Sequence, residues 1–173
     1  MANTWVASSQ SVAFASGKSM LDVFNKTGSA RVIRVYRILC FNSQTATVTG
    51  VWAQLRIYRI TTASSGSTVT PFPKDTTNTA ISSSNTDAGT GRTTTRTDLL
   101  RQVWWTTDQV AVDNTIKTWS TYLPVATIWN AGYKETTIQP IVCPADNGVN
   151  VYNNNATAVG TADFEIEFTD AGS

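Results

Sequence analysis

The sequence predicts an all-β protein, a jelly-roll-like β-sandwich of about eight strands, and three observations carry that prediction. Charged residues are 14% of the 173-residue chain, well below the roughly 25% of an average soluble protein. The polar surface must therefore be built from Thr, Ser, Asn and Gln, and β-branched Thr suits a half-exposed pleated face. The 6 Trp, 5 Tyr and 6 Phe add strand formers with large side chains to bury. Short apolar runs recur with period 2 between Gly, Asn and Asp turn signals, whereas helical spacing is confined to "SMLDVF" and "DLLRQV". The length suits one domain with a real core.

Residues 1–18 read as an extended N-terminal arm outside the core, anchored only by Trp5, Val6, Val12 and Phe14, and residues 19–173 as a single β-sandwich domain. "SMLDVFN" (19–25) is a short strand closed by the turn "KTGS". In "TVTGVWAQLRIYRIT" (47–61), Val51, Ala53, Leu55 and Ile57 alternate with Trp52, Gln54, Arg56 and Tyr58, which is a strand with one apolar face. "RVIRVYRILCF" (31–41) is less clean. Strict alternation puts Arg37 with Ile33, Val35 and Leu39, and Arg34 with Val32, Tyr36 and Ile38, as in a strand covered on both faces. Residues 61–96 form a long Ser/Thr-rich excursion, pinned at "VTPF" and "AI"; loops of this length tend to be functional or mobile. Strand signals resume at 97–106, 115–122, 125–130, 137–144, 148–153 and 162–169. The last, "ADFEIEFT", places Phe164, Ile166 and Phe168 inward and Asp163, Glu165 and Glu167 outward.

Several function classes lose their chemistry at this level. There is no histidine, which removes Ser-His-Asp and Cys-His nucleophile systems and His-containing zinc sites. Cys40 and Cys143 both sit in apolar stretches and read as buried reduced thiols, so neither metal nor cofactor is expected. Asp98, Asp108, Asp113, Asp163, Glu165 and Glu167 are the acids a glycosidase could pair, but Glu165 and Glu167 on one strand face read as ion-pair partners. "AGTGR" (88–92) lacks the Lys and helix of a phosphate loop. The net charge of +1 gives no global attraction to nucleic acid, and no apolar run spans a bilayer. "MANTWVASSQ" does not read as a secretory signal, so synthesis in a cytoplasm is expected, and the sequons "NKT" and "NAT" carry no weight.

Two near-identical words, "RVYRI" (34–38) and "RIYRI" (56–60), interleave Arg with Tyr. Arg favours bidentate carboxylates and aromatic faces, and "DFEIE" supplies carboxylates, so strand or subunit pairing outweighs a nucleic-acid platform. In "VWWTTD", Trp104 and Trp105 point to opposite faces, so one of them must meet something besides the core: another sheet, a sugar ring, another subunit or, equally, the N-terminal arm of the same chain.

Together, "SMLDVFNKTGSARVIRVYRI", "TVTGVWAQLRIYRIT", "VWWTTD", "IWNAGYKETTIQPIVCPADNGVNVYN" and "AVGTADFEIEFT" resemble head decoration (cement) or head-fibre-type structural proteins of tailed bacteriophages. The resemblance implies a non-enzymatic virion protein, often trimeric, on the outer capsid surface, with the major capsid protein as partner. It needs no cofactor, nucleic acid or membrane. The interface residues expected on this reading are Trp5, Phe14, Arg34, Arg56, Tyr58, Trp104, Trp105, Glu165 and Glu167, with residues 1–18 and part of 61–96 as the clamp. Deleting residues 1–15 should then leave the domain folded. The alternative is a carbohydrate-binding β-sandwich, an adhesin or lectin-like module, in which exposed Trp and Tyr stack on sugar rings.

Overall fold

Strand β12 (Thr161–Gly172) shows why this sequence makes a sandwich: Phe164, Ile166 and Phe168 are fully buried, as the alternation predicts. The computed structural model describes residues 3–15, 17–43, 52–82, 85–106, 125–131, 139–155 and 160–172. Among them are β1 (Thr4–Ala13), β2 (Lys18–Asn25), β3 (Arg31–Asn42), β4 (Trp52–Ser64), β5 (Ser67–Val69) and β6 (Phe72–Pro73). Then follow β7 (Thr86–Thr90), β8 (Thr93–Thr106), β9 (Val125–Asn130), β10 (Ile141–Cys143), β11 (Asn147–Asn153) and β12, with no helix among the described residues. The strand predicted at 115–122 lies outside the described residues.

Two antiparallel sheets pack face to face. Sheet 1 has the order β10-β3-β12-β1-β6, with β9 also paired to β3, and sheet 2 the order β5-β7-β2-β11-β4-β8. The core between them is one cluster that includes Trp5, Phe14, Met20, Leu21, Ile38, Leu55, Val151, Phe164 and Phe168. Asn25 closes one end: its side-chain amide donates to the carbonyls of Arg31 and Cys143.

The N-terminal arm is corrected. Residues 4–13 are a strand inside sheet 1, paired with β12 from Thr4↔Thr169 to Ala13↔Thr161 and with β6 at Trp5 and Val6. Trp5 stacks on Phe168 with ring centroids 6.4 Å apart, and Phe14 meets Phe164 edge-on at 6.3 Å. The inner face of β1 alternates Trp5, Ala7 and Ser9, all buried. Small residues fit there because β12 opposite supplies the bulky Phe side chains. A polar-looking segment can thus be a core strand when its neighbour fills the volume.

The excursion at 61–96 is corrected too. It begins as the end of β4 and ends as the start of β8, which pair at Thr62↔Thr95 and Ser64↔Thr93. Beyond a tight corner, Ser67–Val69 pair with Ala88–Thr90, and β7 joins β2. This ribbon therefore ties one edge of sheet 2 to the other, while β6 borders sheet 1. Gly66 turns the corner at φ +78°, and a Cβ there would lie 2.6 Å from the Thr90 carbonyl oxygen.

At Gly89 a Cβ would lie 2.3 Å from Arg92 Cδ and 2.6 Å from the Ser67 carbonyl oxygen. The side chain of Arg92 occupies the space that glycine leaves. Gly89→Ala is expected to cost about 1–3 kcal/mol through overpacking, read as a lower urea midpoint with an unchanged slope. An unchanged midpoint would show that Arg92 does not lie across the strand.

Candidate functional site

The outer face of sheet 1 follows from a bulge in β3. Glu167 pairs with Arg37 and Phe168 with Val35, so Tyr36 is the extra residue between them. A bulge shifts the phase of alternation by one. Ile33 and Val35 point inward before it, Ile38 and Cys40 after it, and all four are buried. Arg34 and Arg37 consequently share the outer face, which strict alternation in "RVYRI" forbids.

Rows of side chains run across this face. One row is Phe72, Val6, Glu167, Arg37 and Asn130; the next is Thr4, Thr169, Arg34 and Val142; the third is Ser8, Glu165, Leu39 and Thr127. Glu167 accepts from both Arg37 and Lys74 at 2.5 Å. Burial pulls its carboxyl up, but those two hydrogen bonds and the cations' charges outweigh it and hold Glu167 below its usual range. Arg34 makes no ion pair among the described residues. Phe72 is 66% exposed, and Val142 and the bulge residue Tyr36 are also exposed. Apolar and aromatic side chains around arginines are what a protein–protein contact is made of.

The second word, "RIYRI", behaves differently because β4 pairs with β11 without a shift from Leu55 to Ile60. Arg56 faces outward: its Nε donates to Gln102 Oε1 at 2.9 Å and its Nη1 to the Tyr58 hydroxyl at 3.1 Å. Arg59, opposite buried Val149, takes the inner phase at the mouth of the sandwich. It reaches the Val142 carbonyl of the other sheet at 2.6 Å and stands 3.8 Å from Asp98. The outer face of sheet 2 carries Tyr58 and Tyr152 edge-on at 6.0 Å. The guanidinium of Arg96 lies 3.8 Å from the Tyr152 centroid. Trp104, at the β8 edge opposite Gln54, is 56% exposed.

Beneath the ribbon lies a buried ionic cluster. Arg92, 5% exposed in its side chain, donates to Asp87 at 2.9 Å and to the Ala63 carbonyl at 3.1 Å. Its other terminal nitrogen stands 3.5 Å from Asp22, whose side chain is fully buried. Ser19 donates to Asp22 at 3.3 Å, and Asn150 to Ser19 at 2.6 Å. Burial pushes the Asp22 carboxyl up to about 7, against the opposing pull of Arg92 and Ser19.

These contacts sort the residues predicted from sequence. Trp5 and Phe14 belong to the core, because their rings complete the Phe168 and Phe164 stacks. Glu167 is nearly buried and paired within the chain. Arg34 and Glu165 do lie on one outer face, and Arg56, Tyr58 and Trp104 on the other; the Trp105 side chain lies outside the described residues. Asp98 and Asp163 are partners of Arg59 and of the Ser11 amide, while Asp108 and Asp113 lie outside the described residues. Cys40 and Cys143 are buried and unbridged; burial raises both thiols, Cys143 to about 11. Among the described residues, no three acidic or cysteine side chains gather as a metal site. Phe72, Lys74, Arg92 and Arg96 are not among the expected site residues because they lie in the polar 61–96 segment, and Tyr36 is not because only the bulge exposes it beside Arg34.

The architecture defines the class as an antiparallel β-sandwich with two decorated outer faces. No protein-family model, curated protein or solved structure matches the chain.

Proposed function

We propose that this chain is a non-enzymatic virion structural protein, a decoration protein that binds the outer surface of a tailed-phage capsid and bridges major capsid subunits. The observation that carries this reading is the outer face of sheet 1, which presents exposed Val142 and Tyr36 beside Arg34 and exposed Phe72 at its far edge, in the row of Glu167 and Arg37. Aromatic and aliphatic side chains set among arginines suit a protein partner. The finer jelly-roll reading is supported by strand order. Successive long strands change sheet except at the β4–β8 pair, giving the orders β1-β12-β3-β9 in one sheet and β2-β11-β4-β8 in the other. Each bound copy would stabilise the assembled shell by mass action, and a trimer bridging several capsid subunits would dissociate slowly.

Phe72 and Arg34 are solvent-facing, so replacing them tests binding without disturbing the core. Phe72→Ala and Arg34→Ala are each expected to weaken co-sedimentation with undecorated capsids about 30-fold, the effect of losing a hot-spot contact worth ~2 kcal/mol. Absence of saturable co-sedimentation by the unaltered protein would sink the proposal.

A second reading, a carbohydrate-binding module, is favoured by the exposed Trp104 and the Tyr58–Tyr152–Arg96 stack on sheet 2. Binding on a glycan panel that is lost in Trp104→Ala, with no capsid co-sedimentation, would install it instead.

A further inference from the structure

We infer that a cup where the β7–β8 turn meets the start of β2 binds an oxyanion carried on a small, hydroxyl-rich molecule, a sugar carboxylate or sugar phosphate. The cup measures about 480 Å³ and is lined by Lys18, Ser19, Arg92, Thr93, Thr94 and Arg96, together with Ala15, Gly17 and Gly91. That size lies within the roughly 300–1,000 Å³ of small-molecule sites. Its walls are polar rather than apolar, which selects a hydrophilic ligand over a lipid or an aromatic one.

The lining holds three cations and no carboxylate. Asp22 and Asp87 offset Arg92 from below, so the uncompensated charge belongs to Lys18 and Arg96. Lys18 spends one ammonium hydrogen on the Ala13 carbonyl at 3.1 Å, leaving two donors. Arg96 lies with its guanidinium over Tyr152, a stack that fixes its plane while its N–H groups find no acceptor among the described residues. Beneath the floor, Arg92 Nε and Thr94 Oγ1 are buried without hydrogen-bond partners, as are the acceptors Asp22 Oδ1 and Asn150 Oδ1, so the buried layer is balanced and the cup's charge comes from its rim. The free donors at the cup are those of Lys18 and Arg96 on a hollow lined by no carboxylate, and an acceptor-rich anion meets that charge. Gly17 (φ +67°) and Gly91 (φ +63°) form the two backbone corners of the rim. The fragment "AGTGR", too short of features for a phosphate loop, supplies the floor through Gly91 and Arg92.

This site goes beyond shell binding, because it lies on sheet 2 while the face proposed to meet the capsid lies on sheet 1. The test is titration of the labelled protein with sodium glucuronate, glucose 6-phosphate, glucose and inorganic phosphate at low ionic strength, followed by amide NMR shifts. Glucuronate, glucose 6-phosphate or both should shift amides of residues 17–19 and 91–96, while glucose should not. Which of the two binds more tightly separates carboxylate from phosphate. Arg96→Gln and Lys18→Gln should each weaken binding at least tenfold, as expected for a charge-assisted hydrogen bond worth ~1.5–3 kcal/mol. If Arg96→Gln loosens the fold, seen as a changed amide spectrum, Lys18→Gln and a salt titration of the unaltered protein decide. The proposal is overturned by no localised shift, by glucose binding equally, by inorganic phosphate binding as tightly as either sugar anion, or by unchanged affinity in the variants.

Discussion

A chain lacking residues 1–15 is expected to lose its fold, not merely an appendage. The truncation removes β1 from between β12 and β6, and with it Trp5 and Phe14, both at least nine-tenths buried. Truncating one buried Trp or Phe to Ala typically costs about 3–5 kcal/mol, while a whole domain is stable by about 5–15 kcal/mol. Losing both rings, Val12 and the β1–β12 hydrogen bonds exceeds most of that margin. The shortened chain also bares the edge of β12 along residues 161–169, a template for edge-to-edge association. Far-UV circular dichroism and urea unfolding should show no cooperative transition, with aggregation near neutral pH. A truncated protein that still melts cooperatively near the full-length midpoint would restore the arm.

The second large effect is expected at Arg92. Arg92→Ala leaves the fully buried Asp22 carboxylate without its cation, and breaking a buried pair from one side costs about 3–5 kcal/mol. That loss should depend on pH, in a direction fixed by linkage. The Asp22 carboxyl is raised from 3.8 to about 7 in the folded chain. Between those values the native state holds a proton that the unfolded chain has released. Stability from Asp22 is therefore complete below about pH 4 and falls as pH rises through about 7. Removing Arg92 should steepen that fall, so the variant is hurt more at pH 8 than at pH 5. Asp22→Asn should flatten the pH profile and recover much of the loss when combined with Arg92→Ala. Asp170 is shifted upward by burial and Glu167 downward, so the comparison belongs against the Asp22→Asn background. Equal destabilisation at pH 5 and pH 8 would show that Arg92 acts by packing alone.

Much of the fold was legible from period 2. "ADFEIEFT" and "VWAQLRIY" alternate in the sequence as they do in the sandwich, since a pleated strand turns successive side chains to opposite faces whatever its neighbours are. The candidate surfaces were legible only as residue types. Arg34, Glu165 and Arg56 reached outer faces as expected, but Trp5 and Phe14 are anchors of the core. Their burial depends on β12, more than 140 residues away in the chain, offering Phe168 and Phe164 as stacking partners. The Ser/Thr-rich ribbon showed little apolar signal because it is held by backbone pairing and by the ionic cluster around Arg92.

"RVYRI" and "RIYRI" mark the boundary between the two kinds of information. By itself the sequence determined that each is a strand with apolar residues to bury and Arg and Tyr to place elsewhere. The tertiary structure decided where. Register against β12 inserts Tyr36 as a bulge and carries both arginines of the first word to one outer face. Unshifted pairing with β11 sends Arg56 outward and Arg59 to the mouth of the sandwich. With a side-chain period of 2, one extra residue exchanges the faces of everything after it, and only the partner strand fixes whether that residue is there.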